Sequence, residues 1–339
     1  MSSPRPTIAD IANAVGVSAP TVSKVINGRT DVAESTRARV EEALDRLGYR
    51  RRRTGPPIQG TGLIDLVFHR IGSPWATEIL QGVENAAAEH RVSVILTELG
   101  GKHRPPDAWV DTTLARPPLG VLMVSATLSA DQRERLARRS IPVVVVDTDG
   151  EPPEDVPSVG TDNWSGGLQA TRHLIALGHT RIAAIGGPPD MLCVRARLDG
   201  YRSAHMEAGL VADPRLIRSG NFYVETGYLA GRELLTLPEG ERPTAIFAGS
   251  DMQALGVMRA ATELGVSVPH DLSVVGYDDL PVVDWVSPSL TSVDQKLATQ
   301  GAVATRLLLD LAAGRTPATP RISLPSDLVI RGSTAPPRR

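Results

Sequence analysis

Carboxylates, arginines and aromatic rings together are the groups that recognise a small polyhydroxylated molecule. Carboxylates accept from hydroxyls, guanidinium groups donate to them, and rings cover the apolar faces of sugars. In this 339-residue sequence such groups fall at the ends of short apolar runs. His69 and Ser73 follow Leu63–Phe68, and Asp147 closes Val143–Asp147. Gly186 and Gly187 follow Ile182–Ile185, the pair Ser250-Asp251 follows Ala245–Phe247, and Asp278-Asp279 follows Ser273–Gly276. In open parallel sheets ligands bind beyond the carboxyl ends of the strands, so these positions are candidates by placement alone.

A second constellation lies near the N-terminus. Ile8, Ile11, Ala12 and Val15 keep the spacing of a helix with one buried stripe; Thr7 is placed to cap it and Gly16 to end it. Ser18 caps a second helix whose inward positions are Val22, Val25 and Ile26, with Pro20 tolerated in its first turn. Val40, Ala43, Leu44 and Leu47 mark a third helix, ending at Gly48. Two short helices joined by a glycine turn, with a third across them, describe a helix-turn-helix. Its outward face, Ala19, Pro20, Ser23, Lys24 and Asn27, is short and polar and carries one cation, as a helix in the DNA major groove requires. Charge agrees with this reading. Through Arg53 there are ten Lys and Arg against six acids, a balance of +4, and the whole chain is −2, which leaves −6 for the rest. A basic end on an acidic body is expected where one end meets a polyanion.

The elements that must position the first constellation alternate along the rest of the chain. Further strand candidates are Val92–Leu96 and Gly120–Val124. Helical stretches lie near Trp75–His90, Ser129–Arg139, Trp164–Leu177, Leu198–Ala208, Glu225–Leu235, Asp251–Leu264 and Leu297–Ala313. The alternation predicts an α/β body of parallel sheets wrapped by helices, long enough for two lobes. No apolar run reaches the ~18 residues of a membrane span, and the N-terminus has no secretory core, so a cytoplasmic protein is expected. Cys193 is the single cysteine, which excludes an internal disulfide and a zinc cluster. No metal spacing, cofactor fingerprint or nucleophile–base pair is apparent, and no G-x-G-x-x-G follows the first strand.

Residues 7–50, TIADIANAVGVSAPTVSKVINGRTDVAESTRARVEEALDRLGYR, resemble the DNA-binding head of the lactose-repressor/galactose-repressor (LacI/GalR) family. The match runs through Ile11, Ala12, Gly16, Val17, Ser18, Thr21, Val22, Ser23, Val25 and Asn27; Val15 replaces a usual alanine. DNWSGGLQATRHLIALGHTRIAAIGGP, RLDGYRSA, PTAIFAGSDMQALGVMRAATELGVSVPHDLSVVGYDD and PSLTSVDQ resemble its successive body motifs. The resemblance implies a helix-turn-helix domain at 1–50, a hinge at 51–62 and a two-lobed, periplasmic-binding-protein-like effector domain at 63–333. The N-lobe would take 63–161 and 291–322, and the C-lobe 162–290 and 323–333. It implies that Ala19 and Pro20 begin the recognition helix, that Lys24 reads bases, and that Thr21, Ser23 and Asn27 meet phosphates. The caps Thr7 and Ser18 complete that DNA-binding set, together with Arg51, Arg52 and Arg53 of the linker. Arg197 and Asp278 are implied as principal effector ligands, Asp147 and Asp162 as secondary ones, with Trp75 and Phe222 lining the cleft beside Ser73, Ser250 and Asp251. Ser250 stands where many members carry asparagine, which removes an amide that often bonds a sugar.

The function implied is a repressor released from a pseudo-palindromic operator by a small carbohydrate, acting as a homodimer, since no leucine heptads follow STAPPRR. The alternative is a sugar-modifying or Rossmann-type enzyme fused to a DNA-binding head. Several residues also have plainer roles. Asp162 equally suits a helix cap, Trp164 and Trp285 suit packing or an interface, His173 and His179 suit structure, and Cys193 a small buried position.

The linker departs most from the family, whose hinge helix carries a leucine that wedges into the minor groove. Here Arg50 to Gly60 reads RRRRTGPPIQG, with two prolines, two glycines and no leucine. A regular helix is disfavoured, whereas four arginines suit backbone neutralisation or a narrow minor groove. Replacing Arg51, Arg52 and Arg53 by Ala should therefore weaken operator binding strongly and flatten its salt dependence, and Ile58→Ala should matter little. Salt-dependent anisotropy titrations and a gel-phasing assay read both; a dominant Ile58 with strong bending would restore the wedge.

Overall fold

The computed structural model describes residues 6–26, 32–47, 62–147 and 154–338. The head begins with a capping box: the Thr7 hydroxyl accepts from the Asp10 N–H and the Asp10 carboxylate accepts from the Thr7 N–H. Helix α1 (Ile8–Val15) ends at Gly16, whose φ of 73° a side chain would resist. Helices α2 (Ala19–Ile26) and α3 (Glu34–Arg46) close over it around Ile11, Val15, Val22, Val25 and Val40. Leu47, expected to continue the α3 stripe, is exposed, because the helix has ended at Arg46.

The first sheet is built from β1 (Gly62–Phe68), β2 (Val92–Glu98), β3 (Gly120–Val124), β4 (Val143–Val146) and β5 (Ser158–Thr161). The second holds β6 (Ile182–Gly186), β7 (Ile217–Ser219), β8 (Ala245–Ala248), β9 (Ser273–Tyr277) and β10 (Thr291–Asp294). The last two strands, β11 (Arg321–Leu324) and β12 (Asp327–Val329), join one sheet each. The orders are β11-β5-β4-β3-β1-β2 and β12-β10-β9-β8-β6-β7, parallel throughout except where β12 runs against β10. Each sheet is covered on both faces. In β1, Ile64, Leu66 and Phe68 join one apolar cluster and Val67 another, which is why these strands read as continuous apolar runs.

Helices α4 (Pro74–Glu89), α5 (Asp107–Ala115), α6 (Ala130–Arg138) and α11 (Leu297–Ala312) wrap the first sheet. Helices α7 (Asn163–Ala176), α8 (Leu192–Glu207), α9 (Val224–Leu235) and α10 (Asp251–Glu263) wrap the second. The chain passes between lobes three times: after Thr161, between Asp294 and Leu297, and between Leu324 and Asp327. The expected lobe boundaries at 291 and 323 therefore shift. Thr291 and Ser292 are buried and pair with Val275 and Gly276 of β9, so β10 belongs to the C-lobe. Residues 323 and 324 pair with β5 and stay in the N-lobe.

The C-lobe site depends on a close helix crossing. The expected helix at Leu198 starts at Leu192, which places Arg197 inside α8 rather than in a loop before it. A Cβ on Gly167 of α7 would lie 2.1 Å from the Arg197 carbonyl oxygen, and one on Gly200 of α8 would lie 2.1 Å from the Trp164 carbonyl oxygen. Only glycine lets these backbones approach so closely. Gly167→Ala should push α8 outward, cost about 1–3 kcal/mol and lower Tm. A thermal melt and ligand titration of that variant should show both a lower Tm and weakened effector binding; an unchanged melt would mean the helices can separate freely.

Candidate functional site

Between the lobes lies a cavity of about 760 Å³, within the ordinary range for small-molecule sites. Seven of the expected effector residues line it: Ser73, Trp75, Asp147, Arg197, Phe222, Ser250 and Asp278. The strand-end rule accounts for much of this. Asp147 follows β4, Asp278 follows β9, and Ser125 follows β3, all three with positive φ (47°, 114° and 45°). Non-glycine residues seldom adopt such angles, and strain of this kind concentrates where function holds it.

Arg197 is the centre of the floor, 5% exposed. Its Nε donates to Asn163 Oδ1 (2.8 Å), its Nη1 to the Gly249 carbonyl (2.6 Å) and its Nη2 to Gln295 Oε1 (3.5 Å). The guanidinium lies 3.7 Å from the centre of the Tyr277 ring and 5.8 Å from that of Phe222. Gln295 also donates to Asp278. Burial pushes both buried carboxyls upward, Asp278 to about 7 and Asp147 in the same direction, and the Arg197 charge opposes the rise at each. The floor thus offers a fixed donor and two carboxyls, one of them close to half protonated at neutral pH.

Helix caps position the remaining groups. Ser73 Oγ accepts from the Ala76 N–H at the start of α4, with Pro74 following, and this carries Trp75 to the cavity wall. Ser250 Oγ accepts from the Gln253 N–H and donates to the Phe222 carbonyl (3.0 Å), fixing the Phe222 loop to α10.

Two expected ligands are placed elsewhere. Asp162 caps α7, accepting from the Ser165 N–H and hydroxyl, and does not line the cavity. Asp251 is fully buried, accepting from the Leu280 N–H (2.8 Å) and the Ser292 hydroxyl (2.5 Å). It therefore braces the loop after Asp278 from behind instead of facing ligand. Burial raises its pKa well above the ordinary value, and the charge of Asp278 adds to the rise. Sequence reasoning missed Asn163, Tyr277 and Gln295, which hold Arg197. All three lie in the quoted family segments, but only Tyr277 is at the end of an expected strand; Asn163 and Gln295 sit where the chain crosses between lobes.

Trp164 and Trp285 are exposed and lie outside the cavity lining. His179 is bonded to Thr244, Ser273 and the Ala335 carbonyl, and His173 to Thr334, so both tie the C-terminal segment to the C-lobe. Gly186 and Gly187 pack against Val194 and Phe222. No group of three His, Cys, Asp or Glu side chains suited to a metal, and no helix able to span a membrane, occurs among the described residues.

The second candidate surface is on the head. Ser18 Oγ meets Thr21 Oγ1 (2.8 Å) and accepts from the Thr21 N–H (3.3 Å), so it caps α2. Ala19, Pro20 and Lys24 are exposed on the outward face, with Ser23 and Thr21 partly so. Thr7 is exposed at the start of α1. Asn27, Arg51, Arg52, Arg53 and Ile58 lie outside the described residues.

A reading head joined to a two-lobed body with a polar interlobe cavity defines a ligand-responsive DNA-binding regulator. Residues 7–52 match the model of bacterial regulatory proteins of the lacI family, and residues 171–334 that of a periplasmic binding protein-like domain. The chain is 32% identical over 330 residues to the transcriptional repressor CytR of Escherichia coli (strain K12), covering 97% of this chain and 96% of that one. It is 35% identical over 340 residues to the transcriptional regulator CelR of Thermobifida fusca, covering 97% and 98%. A solved CelR–cellobiose complex, 35% identical, superposes with a TM-score of 0.72 over 97% of this chain and all of that one. The lac repressor dimer bound to operator and an anti-inducer, 28% identical, gives a TM-score of 0.68 over 98% of this chain and all of that one. The chain belongs to the LacI family and is a DNA-binding transcriptional regulator; these relatives are regulators, not enzymes.

The carboxyl pair has a measurable consequence. Native Asp278 keeps its proton up to about 7, whereas its ordinary value is 3.8, so the folded state holds more protons in that window. Stability must then fall as pH rises through it. Asp278→Asn should flatten this decline in ligand-free melts recorded from about pH 4 to about pH 8. Parallel slopes for variant and wild type would place the loss at another group.

Proposed function

We propose that this regulator is a cytoplasmic repressor that holds a pseudo-palindromic operator as a homodimer and releases it when a small carbohydrate enters the interlobe cavity. The observation that carries this reading is the buried Arg197 floor. It sets a guanidinium and two carboxyls, Asp147 and Asp278, against the rings of Trp75 and Phe222. That set recognises hydroxyls at its polar floor and the apolar face of a sugar at its rings. CelR crystallised with cellobiose, and CytR being a repressor, support the ligand class and the direction of control.

In this reading α2 enters the major groove with Ala19 and Pro20 leading. Lys24 makes the main hydrogen bonds to bases, Thr21, Ser23 and Asn27 meet phosphates, and Arg51 to Arg53 neutralise the backbone. Two heads related by a two-fold axis read two half-sites.

The test uses an operator selected from a randomised duplex pool and fluorescence anisotropy across a sugar panel. One sugar should release wild-type protein. Arg197→Ala and Asp278→Ala, checked for folding by circular dichroism, should keep operator affinity within about threefold and lose the response, since each removes a cavity contact and no DNA contact. Wild-type ligand dependence in both variants would place the sensor site elsewhere.

A further inference from the structure

The floor uses Arg197, Asp147 and Asp278 and leaves unused a second polar group at the N-lobe end of the cavity. His69, directly after β1, and His103, in the loop before α5, both line the cavity. Their rings stack with centroids 4.0 Å apart and planes 15° apart. The loop is zipped to the strand ends. Leu99 N–H donates to the Phe68 carbonyl (2.9 Å), Gly101 N–H to the His69 carbonyl (2.9 Å) and Thr127 N–H to the His103 carbonyl (2.8 Å). Gly100 and Gly101, at φ 59° and 90°, make the turn that returns His103 over His69. The pair is fixed by backbone geometry; it is not two mobile surface side chains in chance contact.

Its hydrogen-bonding state points to a donor ligand. Burial lowers the pKa of His69, with the neighbouring His103 and Arg70 adding to the effect, and the Lys102 backbone bonds the ring. A neutral imidazole has one N–H and one bare acceptor. His69 Nδ1 is buried without a hydrogen-bond partner. Among the buried side-chain nitrogens and oxygens left unpaired in the described residues, it is the one that belongs to a cavity-lining residue. An unpaired acceptor is unfavourable until a donor reaches it; a hydroxyl supplies that proton, whereas a carboxylate or phosphate dianion does not.

Position separates this pair from the floor. Arg197, Asp147 and Asp278 are buried, whereas His103 and its neighbour at the rim, Arg70, are exposed. The volume of 760 Å³ lies in the upper part of the ~300–1,000 Å³ range of small-molecule sites. A single hexose ring seated on Arg197 leaves the outer part of that space, and the imidazoles, without a partner.

We propose that His69 and His103 form a second subsite that reads the second ring of the effector, so that the sensor answers to a disaccharide or longer sugar in preference to its monosaccharide. The assignment rests on the carbohydrate reading above and adds the length of the sugar and the residues that measure it.

Calorimetric titration of the full chain tests it with matched probes: glucose against cellobiose and maltose, galactose against lactose, xylose against xylobiose. For the pair that binds, the disaccharide should bind at least tenfold more tightly than its monosaccharide, roughly the value of one well-made hydrogen bond with ring contact. His103→Ala, at an exposed position, should erase that preference and leave monosaccharide affinity unchanged, and His103→Gln should retain part of it. A monosaccharide that binds as tightly as its disaccharide overturns the subsite while leaving the carbohydrate reading intact. So does a His103→Ala variant that weakens both sugars equally or neither. A folded chain that binds no sugar of the panel overturns both.

Discussion

The structure is organised around keeping one guanidinium charged and dry. Arginine does not give up its proton, so a buried Arg197 must be matched in place or cost several kcal/mol. Its partners come from separate parts of the chain. Asn163 opens α7 at the first lobe crossing, Gly249 ends β8, Tyr277 ends β9, and Gln295 sits at the second crossing. None of these contacts forms unless α8 lies tight against α7, and Gly167 and Gly200 supply that closeness. The same requirement shapes the local backbone. Asp278 takes a φ of 114° beside the strand that carries Tyr277, and Gln295 holds its carboxyl. Asp251 anchors Leu280 and Ser292 just behind.

Because two of Arg197's partners lie on the crossing segments, the sensor floor and the hinge between lobes are one network. A ligand changes the behaviour of a protein only through different affinities for its arrangements. Here the cavity walls belong to both lobes: Arg197, Phe222, Ser250 and Asp278 from one, Ser73, Trp75, Asp147 and His69 from the other. A ligand that touches both walls therefore favours one angle between the lobes over another. Strand β1 begins at Gly62, directly after the linker sequence, so the N-lobe is the part of the body to which the head is attached.

The head and the body differ in how openly the sequence declares them. Helices α1 and α2 were legible because their caps and stripes are local: Thr7, Gly16, Ser18, Val22 and Val25 lie within a few residues of what they stabilise. All seven expected strands exist, since strands buried on both faces are apolar throughout. The strands that went unread, β5, β7, β10, β11 and β12, are three or four residues long and carry Ser, Thr, Arg or Asp, and they are strands only through their neighbours. The site shows the same division. Asp147 and Asp278 follow from the strand-end rule, but Asp251 is just as polar and just as close to a strand end, and points into the core. Sequence position does not distinguish a carboxylate that faces ligand from one that braces a loop; the hydroxyl of Ser292 and the N–H of Leu280 do. Gln295 and Asn163 are uncharged and sit at chain crossings, where spacing offers no signal. His103 is similarly hidden, because its stacking partner is 34 positions away.

The charge balance of the floor bears on which ligands it can admit. With Asp278 titrating near 7 and Asp147 also raised by burial, the two carboxyls and Arg197 do not hold a constant net charge at neutral pH. An anionic ligand would confront the carboxylates in a low-dielectric site, where repulsion is poorly screened. A cationic one would need both carboxyls ionised and would compete with Arg197 for them. A neutral polyol avoids both difficulties. Each hydroxyl can donate to an ionised oxygen or accept from a protonated one, so it satisfies the floor in either protonation state. The unpaired acceptor of His69 at the far end asks for the same chemistry. A ligand whose hydroxyls run from Arg197 to His69 meets every polar demand of the cavity without adding charge to it.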